Sequence, residues 1–360
     1  MTPRFLPHRL SKKLVMLMLC SALVAPVAVA QTTMDALCAV NAHSNRVNVT
    51  TGARAIATKA RGSTVRVDTP DGYGTGFILA PDNVVVTAYH VVRDAKSWTV
   101  TTSTRHEYTA SLVGFNEVRD LAVLKVDWGK GAPVGLNVET NAPKAGDAVI
   151  ALGNSCDGFD AARYGQITVL EKDLGKTFPG QMIQSNLPLA PGDSGGPVIN
   201  LNGRVIGVSD AIEADQGGIS SFVAPLYNAR DALASVKAGE QREVPFIGVG
   251  LQDLTADAVS RIGAGVSGIL VMSVTPGSGA AKAGLKGADL TNVQSDADLK
   301  RTVQSADIIT ALDGRLVSTS EDLIGELRAH KVGDKVTLTV HRAGQNVSVT
   351  ITLGSRRATL

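Results

Sequence analysis

The sequence predicts a mainly β protein in two parts, an all-β barrel or sandwich over residues 51–237 and a smaller α+β unit over 244–355. Three observations carry this. From residue 65 to 224, short runs rich in β-branched residues alternate with turns, at the spacing of strands in such folds. A polar stretch, Ala238-Gly239-Glu240-Gln241-Arg242-Glu243, then reads as a linker (238–243). Beyond it, strand-like runs are interleaved with helical ones. At 360 residues two domains are a better prior than one. The 37 glycines and 44% hydrophobic residues fit a globular, turn-rich chain, and with only 4% aromatics the core must rest on Val, Ile, Leu and Ala.

The elements follow in order. Arg4, Arg9, Lys12 and Lys13 precede a run over 14–30 that is apolar apart from Ser21, and Ala28-Val29-Ala30 fits the small-x-small cleavage pattern. Residues 1–30 therefore read as a signal peptide. The alternative is an uncleaved membrane anchor, because the run reaches about 17 residues, the lower limit of a span. Without the leader the formal charge falls from +2 to −2, so nothing favours a nucleic-acid partner. Residues 31–50 are polar and irregular, an N-terminal arm. A short helix is expected over 51–61, followed by strands at 65–67, 76–79, 84–87, 121–126, 148–152, 166–170 and 205–208. A helix at 225–237 closes the first part. In the second, strands are expected at 269–271, 307–309, 335–340 and 346–353. A short helix is expected at 278–285, and an amphipathic one at 320–329 with Ser318 or Ser320 as its cap.

Chemistry concentrates in three separated segments. Residues 191–197 read Pro-Gly-Asp-Ser-Gly-Gly-Pro, which places the Ser194 hydroxyl on a tight glycine-rich turn whose N–H groups converge. A serine hydroxyl is a weak nucleophile alone and needs a base oriented by an acid. His90 ends the apolar run Thr87-Ala88-Tyr89-His90, and its ring can titrate near neutral pH. Asp120 opens Asp120-Leu121-Ala122-Val123-Leu124. Asp94, expected on a short helix after His90 and facing solvent, and Asp127, at the far end of a strand, are the rivals. The other histidines lie in the leader, the arm, a polar loop or the second unit. A metal site is not expected from scattered histidines and few cysteines, and no cofactor is implied. Cys38 and Cys156 are the cysteines left after the leader; an oxidising compartment would permit a bridge between them if the geometry allows one.

The order His, Asp, Ser is that of the chymotrypsin-type triad. With these contexts, with Gly74-Thr75-Gly76-Phe77-Ile78-Leu79 eleven residues before His90, and with Phe246-Ile247-Gly248-Val249 opening the second unit, the chain resembles HtrA/Deg-type serine proteases over roughly residues 50–355. The resemblance implies a chymotrypsin-like double β-barrel protease domain (51–237) followed by a C-terminal PDZ domain (244–355). It implies catalytic His90, Asp120 and Ser194, and an oxyanion hole from the N–H groups of Gly192 and Ser194. It places a specificity pocket at Pro188, Pro191, Ser220, Ser221 and Phe222. With no acidic residue there, small or medium apolar side chains are the expected cleavage residues. It implies that Phe246, Ile247, Gly248 and Val249 receive a peptide C-terminus.

The function so implied is an exported, periplasmic endopeptidase of misfolded or unfolded proteins, assembled as a homotrimer. A peptide-binding chaperone or regulator, or a site-specific signalling protease, are the alternatives. Two features depart from the family. Residues 286–304 form a polar insertion. Asp193 stands where asparagine is usual, and is expected to pair with a loop arginine or with backbone donors.

Overall fold

The computed structural model describes residues 50–129, 131–155, 161–176, 179–215, 218–254, 259–260, 266–288 and 295–356. The leader at 1–30, the arm before Thr50 and both Cys38 and Cys156 lie outside the described residues. The principal break between the chain's two compact units falls between Lys237 and Ala238.

The first unit opens with helix α1, Thr51–Arg61, on the predicted residues. The Thr50 side chain accepts from the Ala53 N–H at 3.2 Å and satisfies one orphan donor of the first turn. Ala53, Ala57 and Ala60 recur at helical spacing and are the buried face. Strands β1 (Thr64–Thr69), β2 (Gly72–Leu79), β3 (Val84–Ala88), β4 (Trp98–Thr102), β5 (Glu107–Asn116) and β6 (Leu121–Val126) form one antiparallel sheet. Its order runs β5-β4-β1-β2-β3-β6, and β5 also pairs with β6. Helix α2, Tyr89–Val92, follows β3 directly.

Strands β7 (Ala148–Gly153), β8 (Ala161–Lys172), β9 (Met182–Ser185), β10 (Pro197–Asn200), β11 (Val205–Asp215) and β12 (Gly218–Pro225) close a second barrel in the order β10-β11-β12-β9-β8-β7. Val149, Ala151, Ile167, Ile183, Leu187, Leu189, Val198, Ile206 and Val223 fill its core. The barrel alternative is therefore the observed one, and it occurs twice. Closure removes the exposed strand edges that an open sandwich would leave. The helix expected at 225–237 is shorter, α3 over Arg230–Lys237. Asp94 lies beyond α2, not on a helix: it sits at φ 56° and pairs with Arg93.

The stretch 238–243 contains a two-residue strand, β13 (Gln241–Arg242). The second unit is a sheet of β14 (Val249–Leu254), β15 (Gly268–Val274), β16 (Ile308–Leu312), β18 (Lys335–Arg342) and β19 (Gln345–Thr352) in that order, with β17 (Arg315–Leu316) paired to β16. Helices α4 (Gly279–Lys282), α5 (Asp296–Ser305) and α6 (Ser320–Leu327) complete it. The core joins Ile269, Val271, Ile309, Leu323, Leu338 and Val340.

Two expectations are corrected. The cap of α6 is Thr319, not Ser318 or Ser320. Thr319 has extended backbone and accepts from the Asp322 N–H, while the Asp322 carboxylate returns to the Thr319 N–H, a reciprocal capping box. Ser320 is already helical and gives its N–H to Asp253 at 2.7 Å. The insertion 286–304 is not merely a polar interruption: most of α5 lies in it. Val303 of this helix and Ala306 just after it pack with Leu254, Leu270, Ala288 and Ile308 in a second small core.

Candidate active site

His90 is the second residue of α2, immediately after the buried end of β3. Ala88, Tyr89 and Val92 are fully buried, so the apolar run anchors the helix while the His90 ring remains half-buried. Asp120 ends a 3-10 turn over Glu117–Arg119 and adopts φ 50°, a left-handed conformation that aspartate tolerates better than most residues. It turns the chain from β5 into β6. The rival Asp127 instead accepts from the Gly129 N–H at 3.2 Å.

His90 and Asp120 are brought together with a third residue, Asp210. A ring nitrogen of His90 and one carboxylate oxygen each from Asp120 and Asp210 lie within 4.8 Å of one another. Asp210 is the bulge residue of β11: the register against β12 shifts between Ser209 and Ala211. A bulge of this kind re-aims a side chain out of the alternating pattern. The Ser194 hydroxyl donates to the Asp210 carbonyl at 3.3 Å. One bulge residue thus touches the surroundings of all three candidate catalytic groups. Sequence reading missed it, because a bulge has no signature in a run such as Val208-Ser209-Asp210-Ala211.

Thr75 of β2 helps to hold the serine turn. The Thr75 N–H donates to the Ser194 carbonyl at 2.8 Å, and its hydroxyl donates to the Gly192 carbonyl at 2.6 Å. That hydroxyl also accepts from the Asn154 N–H at 2.9 Å. Among the described residues, the Gly192 and Ser194 N–H groups donate to no protein acceptor, as an oxyanion hole requires. Gly192 has φ 97°, and a Cβ there would lie 2.8 Å from the Asn154 carbonyl, so only glycine fits. Asp193 pairs with Arg163 and accepts from the Ala190 N–H, so it has both kinds of partner expected for it; the arginine comes from strand β8 and not from a loop.

Replacing Thr75 by valine keeps the volume and removes the donor to Gly192. We expect kcat to fall on the order of tenfold to a hundredfold, with KM changed much less. Steady-state kinetics on a short peptide measures this, and an unchanged kcat would remove Thr75 from the support of the turn.

The other predicted site residues fall as follows. Pro188 is buried, Pro191 is half-buried, and Ser220 is half-buried and bonded to Gln184. Ser221 is fully buried and donates to the Leu187 carbonyl; Phe222 is 1% exposed and lies opposite Gln184 of β9. In the second unit Val249 begins β14, an edge strand. Phe246 exchanges two backbone hydrogen bonds with Gly354. The Gly248 carbonyl accepts from the Thr275 N–H, and the Ile247 carbonyl from the Ala280 N–H. The carbonyls are thereby turned inward. Among the described residues, the Ile247 and Gly248 N–H groups donate to no protein acceptor.

Residues 74–208 match the trypsin-like peptidase domain and residues 245–353 the PDZ domain. A Pseudomonas fluorescens protein described as a probable periplasmic serine endoprotease DegP-like is 32% identical over 286 residues, covering 78% of this chain and 56% of that protein. The chloroplastic Protease Do-like 1 of Arabidopsis thaliana is 30% identical over 297 residues, covering 80% of this chain and 64% of that protein. The chain thus spans less than two thirds of the length of these relatives. Among solved structures, the HtrA-type protease AlgW with a decapeptide superposes with a TM-score of 0.56 at 22% identity, covering 84% of this chain and 98% of that one. The serine endoprotease from Yersinia pestis gives 0.54 at 23% identity, with 85% and 99% covered; at this identity the likeness is one of fold.

This is a trypsin-like peptidase domain, built of two β-barrels, followed by one PDZ domain. Its curated relatives are named as DegP-like and Do-like serine proteases.

Proposed function

We propose that the chain is an exported serine endopeptidase that cleaves unfolded proteins after small or medium apolar residues, with its PDZ domain binding peptide C-termini. The observation that carries the reading is the grouping of His90 and Asp120 beside a serine turn whose Gly192 and Ser194 N–H groups are available. Ser194 Oγ attacks the substrate carbonyl while His90 takes its proton, and Asp120 orients the ring and stabilises the imidazolium. The two N–H groups stabilise the oxyanion. His90 then returns the proton to the leaving amine, and water attacks the acyl-enzyme by the same route. His90 must be neutral to act, so activity rises with pH through the imidazole titration.

Pro188 and Pro191 carry no charge of their own, which favours apolar cleavage residues. The β14 edge supports strand addition by a peptide, with its carboxylate on the Ile247 and Gly248 N–H groups. The family supports periplasmic location and trimeric assembly, which fractionation and sedimentation test.

The purified chain should degrade casein and release peptides cut after Val, Ala or Leu. An added peptide with a free apolar C-terminus should alter the rate more than its amide. Absence of casein degradation, with peptide binding retained, would favour a binding module over a protease.

A further inference from the structure

We propose that Arg163 is a positioning residue for the oxyanion turn: from the wall of the second barrel it holds Asp193, and through Asp193 the flanking N–H groups of Gly192 and Ser194. The proposal deepens the protease reading and rests on it.

Asp193 lies between the two donors in the chain, yet its side chain points away from solvent and is 2% exposed. Its Oδ2 accepts from Arg163 Nε at 2.8 Å and from the Ala190 N–H at 2.9 Å. Its Oδ1 is buried with no hydrogen-bond partner among the described residues. A buried carboxylate so placed depends heavily on its one cation. Arg163 is itself only 11% exposed at the side chain, so the pair is largely withdrawn from water.

The anchor is rigid. Arg163 belongs to β8 and faces Ala151 of β7 in the barrel register. Gly153, two residues further along β7, makes room for the carboxylate: a Cβ there would clash with Asp193 Oδ1. Arg163 Nη2 also donates to Ser155 Oγ. Ser155 packs against the turn from its other side, with its Cα 3.1 Å from where a Gly192 Cβ would stand. One guanidinium thus bridges two segments that flank Gly192, which a single-point ammonium would do less well. A buried ion pair is weak evidence of stability, and its best-attested use is to select one conformation over others. Here the selected conformation is that of the turn. Without Arg163, the Asp193 charge must find other donors, and its backbone moves with it. The hole is lost while the substrate groove and His90 remain.

The test compares the wild-type chain with Arg163→Met, the double variant Arg163→Met/Asp193→Asn, and Ser194→Ala. Each is measured for kcat and KM on a peptide, for melting temperature, and for affinity toward a peptide aldehyde, whose hemiacetal oxygen occupies the oxyanion position. Arg163→Met should lower kcat about a hundredfold, change KM by less than about threefold, and weaken the aldehyde in step with kcat. The double variant removes the uncompensated charge. It should recover the melting temperature and keep the kcat defect. A wild-type kcat in the folded double variant, or a loss in Arg163→Met that only follows the unfolded fraction, would overturn the proposal. If Ser194→Ala itself keeps its activity, the protease reading fails instead.

Discussion

Ser194→Ala is expected to lower kcat by roughly a millionfold, to the residual level left by binding and the oxyanion donors alone, and to abolish labelling by a fluorophosphonate. The fold should survive. Among the described residues the hydroxyl makes one long contact, 3.3 Å to the Asp210 carbonyl, and its loss costs about 1 kcal/mol or less. The turn keeps its other supports: Gly195 N–H to the Ser209 carbonyl, Gly196 N–H to the Asp193 carbonyl, and Thr75 to the carbonyls of both Gly192 and Ser194. Labelling and thermal melting should be measured on one preparation. A labelled, folded Ser194→Ala protein would mean that another serine is the nucleophile.

Arg342→Met is expected to destabilise the PDZ domain by about 3–5 kcal/mol. Asp307 is completely buried and receives two bonds from Arg342, Nε to Oδ1 at 2.6 Å and Nη2 to Oδ2 at 2.7 Å. Its Oδ2 also takes the Lys286 N–H at 2.8 Å, and Arg342 Nη2 donates to the Gly284 carbonyl at 3.0 Å. The ion pair therefore joins β18 to the segments around Gly284 and Asp307. Methionine keeps much of the stem and leaves the carboxylate unpaired in the interior. Hydrogen exchange resolves the outcome by domain: protection of β16 and β18 should fall on the order of a hundredfold or more, with the barrels unchanged. The double variant Arg342→Met/Asp307→Asn should recover part of the loss. Unchanged exchange in Arg342→Met would show that the pair adds no stability.

Elements with local causes were legible. Helix α1 follows from Thr50 and an alanine face at helical spacing, and it occupies the predicted residues. Strand β6 follows from Leu121-Ala122-Val123-Leu124, buried on both faces. Boundaries slipped where tertiary bonding decides them. Strands β8 and β11 run well past their β-branched runs because a barrel neighbour goes on pairing there, β7 with residues 161–165 and β12 with residues 211–215. Thr319 is the cap because it has extended backbone and makes the reciprocal pair of bonds with Asp322. Helix α5 was missed because its polar sequence shows little of the face that Val303 buries against the sheet.

By itself the sequence determined which residues carry reactive groups and which local structures present them: a histidine after an apolar strand, an aspartate at a strand's start, a serine in a glycine-rich turn. These depend on neighbours a few positions away. Only the tertiary structure decided what surrounds them. Asp210 meets His90 and Asp120 through a bulge, Thr75 reaches across 117 residues of chain to the Gly192 carbonyl, and Arg163 reaches Asp193 across 30. Such contacts arise from barrel closure and strand register. They bring together positions whose sequence separation carries no periodic signal, and any Thr, Asn or Arg facing the interior would read the same until the barrels close.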